Sequence, residues 1–134
     1  MGKMADFLIA GAAAIAVAGM FAVPLASLSA AAPGNWDAGA DVFDTYCSDC
    51  HSVSPKGTNR KGPTLYRVMG RRAGTIAGFN YSAGMRASGI VWSPATLDAY
   101  LANPRATIRD GKMTKGLPKP GDRANVIAFL ARPE

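Results

Sequence analysis

Cys47, Ser48, Asp49, Cys50 and His51 contain both cysteines and the only histidine of this 134-residue chain. Two thiols three positions apart on a helical turn can each add to one vinyl group of a porphyrin. An imidazole on the very next residue then projects onto the iron. C-x-x-C-H is the attachment pattern of c-type haem. Other uses of a cysteine pair fit less well. A thioredoxin-like dithiol lies near a βαβ pattern, and no such alternation of strands and helices is visible. Structural zinc takes four ligands, usually as two pairs of Cys or His, and there is no second pair. A plain disulfide has no use for the histidine. The expected cofactor is one haem c, attached through Cys47 and Cys50.

His51 is expected to meet iron as neutral imidazole, with its other ring nitrogen held by a backbone carbonyl. A single histidine excludes bis-histidine ligation within one chain, leaving methionine, lysine or an open position. Beyond residue 32 the methionines are Met69, Met85 and Met113. Met69 and Met85 fall on expected short helices, where core packing is the ordinary role of methionine. Met113 lies in a long irregular loop, which can cross to the opposite haem face and turn a side chain inward, so it is the favoured ligand. A thioether favours ferrous iron and raises the potential. Two strong axial ligands also leave no position for oxygen or peroxide, which points to electron transfer rather than to catalysis.

These residues need elements to hold them. Pro33 to Trp36 reads as a linker with turn character. Asp37 to Cys50 reads as a helix capped by Asp37, with Val42, Phe43 and Tyr46 at helical spacing and Gly39 on the face of Phe43. Gly62-Pro63 breaks the chain after the pentapeptide. Thr64 to Gly70 is expected as a short helix ended by glycine, residues 71–80 as loop, and Ser82 to Ser88 as another short helix. Ser93-Pro94 starts a helix that Asn103-Pro104 ends. Residues 105–120 read as irregular, and Asp122 is expected to cap a last helix reaching Ala131. Nothing alternates like a strand. The expected fold is all-α: short helices and Gly/Pro-rich loops wrapped around one covalent haem, over residues 37–134.

From Phe7 to Ala32 there is no charge. Lys3 before it and the small residues Ala26 to Ala32 after it suit a cleaved export signal. The run is also long enough to span a bilayer about 30 Å thick, so an uncleaved membrane anchor is the alternative for residues 1–32. Either way the domain is expected outside the cytoplasm: in a bacterial periplasm, soluble after cleavage or tethered to the inner membrane. The chain carries 15 Lys and Arg against 9 Asp and Glu, a net charge of +6, and nearly all of it lies in the domain. Nucleic acid is one standard partner of a basic domain, but export removes access to it. An acidic protein face or an anionic membrane is the better match.

The order of motifs from Gly39 to Leu130 resembles class I cytochrome c. It is carried by Gly39 and Phe43, Cys47-x-x-Cys50-His51, Gly62-Pro63-x-Leu65-Tyr66 and Gly70-Arg71. Phe79-Asn80-Tyr81-Ser82, Trp92, Tyr100-Leu101-x-Asn103-Pro104, Gly111-Lys112-Met113 and Val126 to Leu130 complete it. The resemblance implies iron ligation by His51 and Met113, with the Pro63 carbonyl accepting the His51 ring proton. It implies that Tyr81 and Trp92 hydrogen-bond a buried haem propionate, that Arg71 offsets its charge, and that Tyr100 lies near the Met113 sulfur. Gly39 and Phe43 should meet the last helix near Phe129. The chain departs from the pattern at Met85, where relatives carry asparagine, at Gly111, where they carry threonine, and in residues 105–110, which lack a tyrosine. The implied activity is one-electron transfer by a monomer, from a cytochrome bc-type complex to cytochrome c oxidase or a photosynthetic reaction centre. Lys56, Lys61, Lys112, Lys115 and Lys119 would ring the exposed haem edge.

Overall fold

In the computed structural model, which describes residues 33–132, the first helix is capped two residues ahead of its expected cap. Helix α1 runs Trp36–Tyr46, and its N-cap is Asn35, whose side chain accepts the Ala38 amide at 3.0 Å. Asp37 lies in the first turn, where a negative charge suits the positive end of the helix dipole. Asn35 wins the cap because its own amide is tied to Asn125 Oδ1 at 2.9 Å, which holds it extended. Much of the expected linker is thereby part of the domain. Gly34 backs onto the last helix so closely that a Cβ on it would lie 2.0 Å from the Ala124 carbonyl. The expected export signal or anchor lies in residues 1–32, outside the described residues.

Helix α1 ends at Tyr46, and the pentapeptide follows as a run of turns rather than as regular helix. The Cys50 and His51 amides both donate to the Cys47 carbonyl, at 3.0 and 2.9 Å. Helix α2 is Ala83–Ala87, capped by Ser82. Helix α3 is Pro94–Ala102, opened by Ser93 and Thr96 in a reciprocal capping box with Pro94 at the first position. Such a box satisfies two amide donors that a helix start otherwise leaves without partners.

Three expectations for the connecting segments are corrected. Thr64 to Gly70 is not a helix: Arg67 takes a left-handed φ of 49° and Gly70 one of 76°, which breaks the right-handed run. Met69 therefore lies in a turn. Residues 105–120 are not wholly irregular, because α4 (Pro104–Thr107) starts within one residue of the end of α3. Asn103 closes α3 and then caps α4 by accepting the Ala106 amide at 3.1 Å. The last helix, α5 (Pro120–Leu130), begins two residues before the expected cap. Pro120 has its φ preset for a first turn, and Asp122 lies within that turn without capping it.

Phe43, Val68, Trp92, Leu97, Tyr100, Leu101, Ile108, Leu117, Val126 and Ile127 form one buried cluster with Ala73. Its firmest joint is the crossing of α1 on α5. A Cβ on Gly39 would fall 2.0 Å from the Asn125 carbonyl oxygen, and the Phe43 and Phe129 rings sit 5.5 Å apart. The expected meeting of Gly39 and Phe43 with the last helix is thus present. The loops before α3 are tied by one antiparallel bridge between Arg72 and Val91, flanked by Gly70 N to Trp92 O at 2.7 Å and Ala73 N to Ile90 O at 2.8 Å. Among the described residues no helix is long and apolar enough to cross a membrane.

Candidate functional site

The end of α1 delivers Cys47, Cys50 and His51 in one turn, and residues 52–66 fold back over it. Arg60 donates to the Ser48 carbonyl at 2.9 Å, the Gly62 amide to the Cys50 carbonyl at 2.8 Å, and the Leu65 amide to the Ser52 carbonyl at 2.8 Å. Ser52, the buried polar residue beside the histidine, donates its hydroxyl to Thr58 O at 3.1 Å. The segment after the Gly-Pro break is therefore a wall pressed against the pentapeptide.

That wall sets the His51 ring. Its Nδ1 lies 2.7 Å from the Pro63 carbonyl oxygen. A carbonyl can only accept, so Nδ1 carries the proton and Nε2 keeps its lone pair. Burial pulls the imidazole pKa below 6.5, against a smaller opposing effect of the Pro63 bond. The ring is held neutral, in the tautomer that a metal ligand needs. Gly62 makes room for it, since a Cβ there would lie 2.3 Å from His51 Cε1. The two thiols are free and half-buried. The Cys47 thiol is pushed up to about 11, first by burial and then by neighbouring Cys50. Redox dithiols work through a depressed thiol pKa, the opposite of the shift at Cys47.

Met113 comes from the other end of the chain. It is half-buried and packs against the core cluster. The loop around it is pinned on α3 and α5: Leu117 is buried and its amide donates to Leu101 O at 2.6 Å. Arg123 donates to Leu117 O at 3.1 Å, to Pro118 O at 2.8 Å and to Asp98 Oδ1 at 2.8 Å. Met69 and Met85 are also half-buried against the core.

The remaining expected residues form two pairs. Tyr100 and Trp92 are both buried, with rings 5.2 Å apart at 56°, and burial raises the Tyr100 pKa. Arg71 and Tyr81 face each other. Burial raises the Tyr81 pKa, and a hydrogen bond with the Ile76 backbone and the Arg71 charge oppose the rise. Arg71 also clamps the wall by donating to Thr64 O at 2.7 Å and Tyr66 O at 2.9 Å. Lys56, Lys61, Lys112, Lys115 and Lys119 are all exposed, as are Asp37, Asp41 and Asp44 on α1 and Asp49 just after it.

Tested against haem c, the donor set fits. Two free thiols on one turn, a neutral imidazole with its lone pair on Nε2, and a half-buried thioether on a pinned loop are the groups that attachment and axial ligation require. Sequence reading missed how much of this rests on residues without side-chain chemistry. Gly62 entered only as a break and as part of the Gly62-Pro63 motif, although its lack of a side chain is what gives the imidazole its space. Arg60 and Arg123 gave no local signal, because their partners are backbone carbonyls and, for Arg123, the Asp98 carboxylate, all brought to them by the fold.

Comparison with known proteins places these features. A family profile described as Cytochrome c matches residues 36–132. Cytochrome c2 of Rhodomicrobium vannielii is 46% identical over 119 residues, covering 88% of this chain and 94% of its own. Cytochrome c of Cannabis sativa is 42% identical over 106 residues, covering 78% and 96%. Cytochrome c 2.1 of Caenorhabditis briggsae is 43% identical over 98 residues, covering 72% and 87%.

Proposed function

The chain belongs to the cytochrome c family, electron carriers rather than enzymes that hold haem c covalently, and from that premise we propose that its iron site is closed by His51 and Met113. Haem c, when bound, supplies a one-electron ferric/ferrous couple. Everything else is the work of the chain. Cys47 and Cys50 fasten the group. His51 offers Nε2 because Pro63 occupies Nδ1, and this 2.7 Å contact is the observation that carries the reading. Met113 would offer its soft thioether to the iron from a loop that Arg123 and Leu117 hold shut, and Tyr100 would tune its sulfur. Tyr81 and Trp92 would hydrogen-bond a propionate of the bound haem, with Arg71 offsetting its charge.

The exposed lysines steer the carrier onto acidic faces of its redox partners. We assign a cytochrome bc-type complex as donor and cytochrome c oxidase or a photosynthetic reaction centre as acceptor. Such encounters are small and brief, which suits a monomeric shuttle. The reading also takes the protein to be periplasmic. The Rhodomicrobium match covers a share of this chain larger than residues 33–134, so it reaches into residues 1–32, the expected leader. Cleavage of that leader leaves a diffusing carrier, and retention leaves a tethered one. Mass spectrometry of the mature N-terminus distinguishes them.

The ligand assignment is tested by the weak sulfur-to-iron absorption band of the ferric protein. Met113→Ala should abolish it and open the ferrous protein to carbon monoxide, whereas Met69→Ala and Met85→Ala should retain it. Loss of the band in either of those two instead would reassign the sixth ligand.

A further inference from the structure

We propose that Asp110 is a positioning residue for Met113: its carboxylate fastens the loop that carries the thioether to the start of α2. The inference rests on Met113 being the sixth ligand. Asp110 stands three residues before it. Asp110 Oδ2 accepts the Gly84 amide at 2.8 Å, and Oδ1 accepts the Ser82 hydroxyl at 3.1 Å. Gly84 is shaped for the contact, because a Cβ on it would lie 2.2 Å from Oδ1 and 3.0 Å from the carboxyl carbon. Glycine at position 84 is therefore what lets the carboxylate reach the amide. The Asp110 pKa lies below its usual value, with the Gly84 amide as the largest cause, then desolvation opposing it, then Ser82.

A second tie runs between the same two segments. Lys112 Nζ donates to the Asn80 carbonyl. The two anchors bracket Gly111, which is buried and has no room for a side chain, since a Cβ would meet the Ile108 carbonyl oxygen at 2.9 Å. Its amide also closes a turn onto Ile108 O at 3.0 Å. A glycine two positions before Met113 is a natural hinge. Fastening the residue on either side removes that hinge without requiring a hydroxyl at position 111. The Met113 side chain is thereby presented on a segment closed at both flanks, so a competing ligand must wait for the loop to open.

The experiment uses the full haem-loaded chain. Asp110→Ala removes the carboxylate, and Gly84→Ala displaces it while leaving residue 110 unaltered. Both should weaken the ferric sulfur-to-iron band and raise the rate of carbon monoxide binding to the ferrous protein about tenfold or more, as expected for losing hydrogen bonds to a charged acceptor. Asp110→Asn keeps one acceptor and should fall between these and the unaltered protein. Far-ultraviolet circular dichroism should stay unchanged, which separates a loosened ligand loop from a damaged fold. If Met113→Ala keeps the band, the ligand reading fails and this inference goes with it. If Met113→Ala loses the band while Asp110→Ala and Gly84→Ala match the unaltered protein, this inference alone is overturned. Should those variants not accumulate with haem, hydrogen exchange on the unaltered protein decides. A Gly84 amide protected about tenfold or more supports the strap, and free exchange there rules it out.

Discussion

Gly62 shows how much a missing side chain contributes at the residue scale. Its Cβ would occupy the place of His51 Cε1, so Gly62→Ala must rotate the imidazole away from Pro63 or shift the wall. Overpacking of this kind costs about 1–3 kcal/mol, and here it also spoils the tautomer. The expected result is a several-fold drop in the haem-to-protein absorbance ratio of the purified chain. Tyrosine ionisation offers a second reading. Burial raises the pKa of Tyr100 and Tyr81 above 10.0. A raised folded value means the fold binds the phenolic proton more tightly than the unfolded chain. The resulting stabilisation is complete below pH 10 and is lost as pH rises through the folded values. Spectrophotometric titration should show late phenolate signals, one of which Tyr100→Phe removes. Cys47, Cys50 and His51 could be read directly because their chemistry lies in adjacent positions. Asp110 could not, because its partners are more than 25 residues away.

At the scale of elements, local rules succeeded where the cap and the first turn are neighbours. Ser93-Pro94 announces α3, and Ser93 with Thr96 completes the box. Ser93→Ala should lower stability by about 1 kcal/mol, measured as a shift of the denaturant midpoint with the slope unchanged. The same rules failed where a tertiary contact outbid them. Asn35 took the cap of α1 because Asn125 holds its backbone, and Arg67 entered a left-handed conformation that no propensity scale favours. The crossing of α1 on α5 is the least forgiving joint. With the Asn125 carbonyl 2.0 Å from the position of a Cβ, Gly39→Val should separate the helices at a cost of about 3 kcal/mol. A matching fall in the thermal midpoint would be seen by circular dichroism.

The charges are arranged at the scale of the whole molecule. Five exposed lysines lie in the wall and in the Met113 loop, while Asp37, Asp41, Asp44 and Asp49 lie on α1 and just beyond it. A net charge of +6 should make association with an acidic redox-partner face fall about tenfold between about 0.01 and 0.15 M salt, as the screening length contracts. Stopped-flow kinetics should show Lys112→Glu slowing the low-salt reaction and Asp41→Lys leaving it equal or faster. The opposite order would remove the lysines from the docking face. The sequence alone determined the cofactor chemistry, the all-α class and the sign of the charge, because each depends on residue types and short spacings. The tertiary structure decided which face of the imidazole is free, which residues hold the Met113 loop, and where α1 and α5 begin. Those outcomes depend on backbone groups meeting across long stretches of chain, and a backbone carbonyl has no identity in a sequence until the fold places it.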